Sequence, residues 1–171
     1  MGSGKIVALV AAIIGILSVT LGFVLPEWMG WYRVIATTGG LSAGYAINGF
    51  GMLVAVGPVP PPPPEYALFF MPLIGGIMVA AGSVLLIIGA LKESRAAGII
   101  GGVVVLLGPM LLVLDLLIGI GDYSMLVPPG QSLFFGSIEI MPGVFYNWGL
   151  WIGSFLALGG GVLGLIGGAT V

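Results

Sequence analysis

Between Leu68 and Gly121 the chain reads LFFMPLIGGIMVAAGSVLLIIGALKESRAAGIIGGVVVLLGPMLLVLDLLIGIG, two apolar runs parted only by Lys92-Glu93-Ser94-Arg95. Each run is long enough to cross about 30 Å of hydrocarbon as a helix, and four polar residues suffice to turn between antiparallel neighbours. Two further runs extend the pattern, so the expected spans are about Ile6 to Leu25, Leu68 to Leu91, Ala97 to Gly121 and Trp148 to Val171. Backbone groups with no water to bond leave the helix as the form for separate spans. Lys5 ahead of the first run resembles the start of a signal peptide, but the run is too long and no cleavage pattern follows, so it counts as a span.

Composition agrees. Of 171 residues, 59% are hydrophobic and 6% charged, with four basic and six acidic residues, whereas a soluble domain carries about 25% charge. The chain therefore reads as an integral membrane protein in which lipid is the main partner. With no Cys and no His, disulfides, haem, zinc, thiol catalysis and a histidine base are excluded, and no cofactor or metal set is expected. A net charge of −2 gives no reason to expect nucleic acid, and no catalytic constellation suggests an enzyme.

Lys5, Lys92 and Arg95 fall on one side of four crossings, against Arg33 alone on the other. Basic residues in short loops stay cytoplasmic. Both termini are thus expected in the cytoplasm of a plasma-membrane protein, with Pro26 to Ala67 and Asp122 to Asn147 outside.

Those outer segments carry strand-like runs at Arg33–Thr38, Gly44–Asn48, Met52–Val56 and Ser132–Ile140, punctuated by Gly39-Gly40, Pro128-Pro129-Gly130 and Pro142-Gly143. The expected fold is a membrane four-helix bundle with a small extracellular antiparallel β-sheet. Pro60 to Pro64 reads as a stiff spacer returning the chain to the membrane.

Glycine contributes 32 residues. Gly149, Gly153, Ala157 and Gly161 stand four apart in the expected fourth helix, continued by Gly160, Gly164 and Gly168, and Gly98 and Gly102 repeat the spacing in the third. Small residues so spaced let helices approach closely, either within the bundle or between subunits. Trp28, Trp31 and Tyr32, with Phe145, Tyr146, Trp148 and Trp151, are expected as an interfacial belt. Asp115 alone among the charged residues falls inside a span, where it must face the bundle, be protonated or find a partner. Arg33 is the outer cation available to it.

These features resemble the claudin and peripheral-myelin-protein superfamily over most of the chain. Leu25-Pro26-Glu27-Trp28 is similar to the Pro-x-Trp with which that family leaves its first helix, and Arg33-Val34 opens a strand as theirs does. Asn48-Gly49-Phe50-Gly51-Met52 lies near the position of its Gly-Leu-Trp motif, and the segments from Arg95 to Val103 and from Trp151 to Gly161 are similar to its third and fourth helices. The chain departs in having Gly51 in place of the motif's Trp and in lacking the paired first-loop cysteines, so junctional function does not follow from the likeness. The resemblance implies a non-catalytic protein making lateral or cell-surface contacts, as a homo-oligomer or with other membrane subunits. Alternatives are an accessory subunit of a respiratory or transport complex, and a small channel or proton-coupled carrier centred on Asp115. Absent Cys and His, with three Asn plus Gln, suit a thermophile.

Overall fold

The computed structural model describes residues 2–64, 68–119, 123 and 126–171. Glu65 and Ala67, Gly121 at the expected end of the third span, and Asp122 lie outside them. Helix α1 (Ser3–Val24) runs into a four-residue turn of helix, α2 (Pro26–Met29), with Pro26 at its first position, where no N–H is required. Three strands follow, β1 (Tyr32–Thr38), β2 (Leu41–Ile47) and β3 (Leu53–Val56). The chain then forms α3 (Phe70–Lys92), α4 (Arg95–Ile118), the hairpin β4 (Phe135–Met141) and β5 (Val144–Leu150), and α5 (Ile152–Thr170).

Four of these helices are long and apolar enough to cross a membrane. Their residues are distributed in the opposite sense to a soluble core. In α1 the buried strip is Gly4, Ala8, Ala11, Ala12, Gly15, Ser18, Val19 and Gly22, while Ile6, Val10, Ile13, Leu17 and Phe23 are exposed. Small residues inside and large apolar residues outside bring backbones together and offer the bulky side chains to an apolar surrounding. The helices form a ring, α1 against α3 and α5, α4 against α3 and α5, with little contact across the diagonals.

Each seam is built on glycine. A Cβ on Gly75 would strike the Gly108 carbonyl, one on Gly82 would come within 2.7 Å of the Gly101 oxygen, and one on Gly89 within 2.6 Å of the Gly98 nitrogen. Gly75, Gly82 and Gly89 recur every seventh residue, the spacing that keeps one helix stripe facing its neighbour. Gly102 meets Gly164 and Leu165, Gly98 meets Gly168, and Gly161 meets the Leu106 backbone, which closes α4 on α5. Gly160 and Gly167 do the same for α5 on α1.

The α3–α4 turn is fixed by Glu93 in the left-handed conformation and by Ser94, whose Oγ accepts from the Ala97 amide. At this end Lys5 pairs with Glu93, and Arg95 Nε donates to the Val171 carbonyl at 3.0 Å. Three of the four cations therefore sit at the end away from the sheet.

The five strands form one antiparallel sheet in the order β3-β2-β1-β5-β4. β1 lies between the two excursions, paired with β2 (Val34 opposite Tyr45) and with β5 (Val34 opposite Trp148). The second excursion supplies two strands rather than the one expected. Val144–Leu150, read in sequence as loop as far as Asn147 and as the fourth span from Trp148, is β5, and α5 starts at Ile152. Gly149 accordingly stands in β5 between Arg33 and Phe135, with φ +148°, and not on the α5 glycine stripe. Turns follow glycine chemistry. Gly39 and Gly40 both have positive φ, as a two-residue primed hairpin turn requires, and Gly143, also at positive φ, donates to Glu139 Oε1 at 2.8 Å.

Candidate functional site at the sheet end of the bundle

Trp31 seals the bundle. Its ring is fully buried, its Nε1 donates to the Ser18 carbonyl at 2.9 Å, and its edge lies where Cβ atoms on Gly75 and Gly153 would come within 3.2 and 2.9 Å. Trp31 thus fills the space left by glycines on two helices while satisfying a carbonyl of a third. The Asn48–Met52 turn is seated beside it. Asn48, fully buried, accepts from the Phe50 and Met52 amides at 2.9 and 3.0 Å. Gly49 rests on Val19, and its carbonyl occupies the notch at Gly76. In this fold the Gly49-Phe50 motif therefore serves as a wedge locking the first excursion onto α1 and α3.

Residues alternate across β1 and β5. One face carries Tyr32, Val34, Tyr146 and Trp148, the other Arg33, Ile35 and Asn147. The first face holds down the segment leading into β4: Tyr32 Oη donates to the Leu133 carbonyl at 2.7 Å, Tyr146 Oη to Leu126 at 2.9 Å and Trp148 Nε1 to Ser132 at 2.7 Å. Burial, followed by the neighbouring Tyr146 hydroxyl, pushes the Tyr32 phenol well above its ordinary range, so it remains a donor.

The belt expectation is corrected for Trp31, Tyr32 and Trp148, whose rings are inside the protein. Each aromatic N–H or O–H bonds a backbone carbonyl of the protein, a partner that outweighs its affinity for an interface. The aromatic rings exposed near the sheet ends of the helices are Phe23, Trp28, Phe70 and Phe155, at 46, 58, 67 and 50%. Three of these went unread in the sequence, although each sits within a turn or so of a helix end.

Asp115, 2% exposed on α4, accepts from Tyr123 Oη at 2.7 Å. Tyr123 in turn stacks on Phe69 at 5.1 Å and tilts against Tyr32 at 5.5 Å. Desolvation first, and the Asp115 hydrogen bond second, hold the Tyr123 phenol protonated far above its usual range. The carboxyl thereby ties α4 to the connection following it. Arg33, the cation that the sequence offered to Asp115, is directed elsewhere.

Its guanidinium lies over the Trp151 ring with Cζ 3.0 Å from the centroid, and Nη1 reaches the Glu27 carbonyl at 3.4 Å. A half-open cleft of about 360 Å³ opens here, lined by Arg33, Phe135, Asn147, Trp148, Leu150 and Trp151. Gly149 lies outside the cleft lining, and the Phe135 ring closes over it, 2.7 Å from where its Cβ would stand. Trp151 Nε1 is buried without an acceptor among the described residues. Desolvation lowers the Arg33 pKa to about 10 despite the opposing charge of Glu27.

On the other side of β5, strand β4 forms a sheet edge. Phe135, Ile138, Ile140 and Met141 are 55, 39, 51 and 60% exposed, and Phe145 of β5 is 45% exposed. Among the described residues β4 pairs only with β5.

No family model and no curated protein matches the chain.

Proposed function

We propose that the chain is a non-catalytic, multi-pass protein of the plasma membrane, with both termini cytoplasmic and the sheet outside, that makes lateral or cell-surface contacts through the β4 edge. It is on this reading a divergent relative of the claudin and peripheral-myelin-protein superfamily. Large apolar side chains around the four helices support membrane placement. Lys5, Lys92 and Arg95 at the end away from the sheet, and Phe23, Trp28, Phe70 and Phe155 near the other, support the orientation.

The observation that carries the contact function is β4 itself, seven residues long and apolar, with a free edge among the described residues. Edge strands of this kind are templates for another chain and are normally blunted by lysine, proline or a bulge near the middle. Here the irregularity is at the tip, between Glu139 and Met141, and the interior carries a single charge, Glu139. The glycine stripes do not compete for this role, since they are occupied by the chain's own helices.

The chain contains no cysteine, so a single Ser137→Cys variant reports this edge directly. Oxidation in native membranes is expected to give disulfide-linked dimers, whereas Leu41→Cys, exposed on β2, gives none. A Ser137→Cys protein that remains monomeric in membranes and in mild detergent, alone and when mixed with Glu139→Cys, would overturn self-association, and a defined foreign subunit linked through the introduced thiol would establish the accessory-subunit role instead.

A further inference from the structure

We propose that the Arg33–Trp151 cleft binds the phosphate of an anionic membrane lipid. Arg33 supplies the charge, Trp151 a second donor, and Phe135, Leu150 and Phe155 flank the lipid's apolar part. This extends the membrane placement proposed above and is independent of the β4 contact.

Four observations converge. First, the guanidinium makes no direct ion pair among the described residues, although the Glu27 charge acts on it from a distance. A guanidinium carries five donors in a planar fork suited to phosphate oxygens. Among the described residues no carboxylate oxygen lies within 4.0 Å of it, and its hydrogen bond goes to the Glu27 backbone at 3.4 Å. Second, the guanidinium is held in place. The Trp151 ring at 3.0 Å and the Glu27 carbonyl fix its plane, which removes much of the side-chain entropy that ligand binding would otherwise cost. Third, Trp151 Nε1 is buried with no acceptor among the described residues, and buried donors of this kind ordinarily find one.

Fourth, apart from Arg33 and Asn147 the walls are hydrocarbon: Phe135, Leu150 and the ring surfaces of Trp148 and Trp151. Phe135 stacks on Phe155 of α5 at 6.4 Å, continuing the apolar surface from the cleft onto the helix. This decides between the two sources of a phosphate oxygen. A free, hydrated phosphate gains nothing from apolar walls and loses its water there. A lipid phosphate brings its own methylenes, and the cleft of about 360 Å³ takes a headgroup while the acyl chains remain along α5. Glu27 is the acidic group that opposes an anion here, through its electrostatic coupling to Arg33. Its side chain is not among the cleft residues.

The test uses the full chain in an uncharged maltoside detergent, followed by native mass spectrometry against phosphatidylglycerol, phosphatidylcholine of the same acyl chains, and inorganic phosphate. One phosphatidylglycerol is expected to bind about tenfold or more tightly than phosphatidylcholine, whose phosphate is the same but whose choline cation is repelled by Arg33, the scale of one partly screened charge–charge term. Arg33→Gln is expected to abolish that preference. Trp151→Phe, which keeps an aromatic ring beneath the guanidinium and removes the N–H together with the indole's five-membered ring, is expected to reduce the preference severalfold, and it serves if Arg33→Gln does not fold. Equal binding of the two lipids by the wild type, or a full preference surviving in the folded variants, would overturn the site. Displacement of phosphatidylglycerol by an equal concentration of inorganic phosphate would overturn the lipid as the source. Retention of either lipid reports membrane placement separately, so failure of the cleft and failure of that placement give different results.

Discussion

Gly159 and Gly161 stand two residues apart on α5 and illustrate how little a glycine's identity says about its role. A Cβ on Gly159 would meet nothing within 4 Å, whereas one on Gly161 would lie 2.6 Å from the Leu106 Cα. Gly159→Ala is therefore expected to raise stability by about 0.5–1 kcal/mol, since the helix keeps its form and the unfolded chain loses freedom. Gly161→Ala is expected to cost about 1–3 kcal/mol through overpacking. Thermal unfolding in one detergent compares them, and equal shifts of the same sign would refute the α4–α5 seam. The sequence displayed both glycines and could not rank them, because the difference lies in the neighbouring helix. Asp115 was legible as a costly carboxylate requiring a partner. That the partner is Tyr123 depended on how the chain returns after α4. Tyr123→Phe should destabilise by about 1–3 kcal/mol, the cost of removing a donor from a buried acceptor. Asp115→Asn, which retains an acceptor, should cost less, and an unchanged unfolding temperature in Tyr123→Phe would show that the hydrogen bond contributes nothing.

At the scale of elements, the long helices were legible from run length and the strands of the first excursion from β-branched residues between glycine turns. The α3 seam was present in the sequence as Gly75, Gly82 and Gly89, a seven-residue repeat obscured by the four-residue stripe nearer the C-terminus. β5 was misread because Val144–Leu150 is as apolar as a helix start and runs directly into one. A strand packed on one face and a helix entering lipid differ little in hydrophobicity, so the cross-strand partners on β1 decide. If β4 makes the contact, its geometry follows from the membrane. Two copies in one bilayer share an outward direction and their β4 edges meet in parallel, so Ser137→Cys alone cross-links. Copies in facing membranes meet antiparallel about Ile138, and cross-linking then requires a mixture of Ser137→Cys with Glu139→Cys. Mass analysis of the dimer distinguishes the two, and a lateral contact predicts the first.

For the molecule as a whole, orientation can be tested by chemistry that the native chain cannot mask, since it has no thiol. Cysteines at Thr38 and Gln131, both exposed at the sheet end, should react with an impermeant maleimide on intact cells. One at Ala96, exposed beside the α3–α4 turn, should react only after lysis, and the reverse pattern would invert the topology. Hydrogen exchange adds a second measure. Central β1, bonded on both sides, should be the most protected strand and β4 the least.

What the sequence determined by itself is set by totals and periods: four apolar runs, a charge bias towards the α3–α4 turn, glycines at close-packing spacings, and one carboxyl in apolar surroundings. What only the tertiary structure decided is which residues face inward. In a water-soluble protein hydrophobicity sorts inside from outside, but along these helices both faces are apolar and the distinction passes to size and to hydrogen bonding. Small residues turn inward because backbones must approach. Trp31 and Trp148 are buried where carbonyls at Ser18 and Ser132 accept from their N–H groups. Neither demand is visible until those backbones have been brought together.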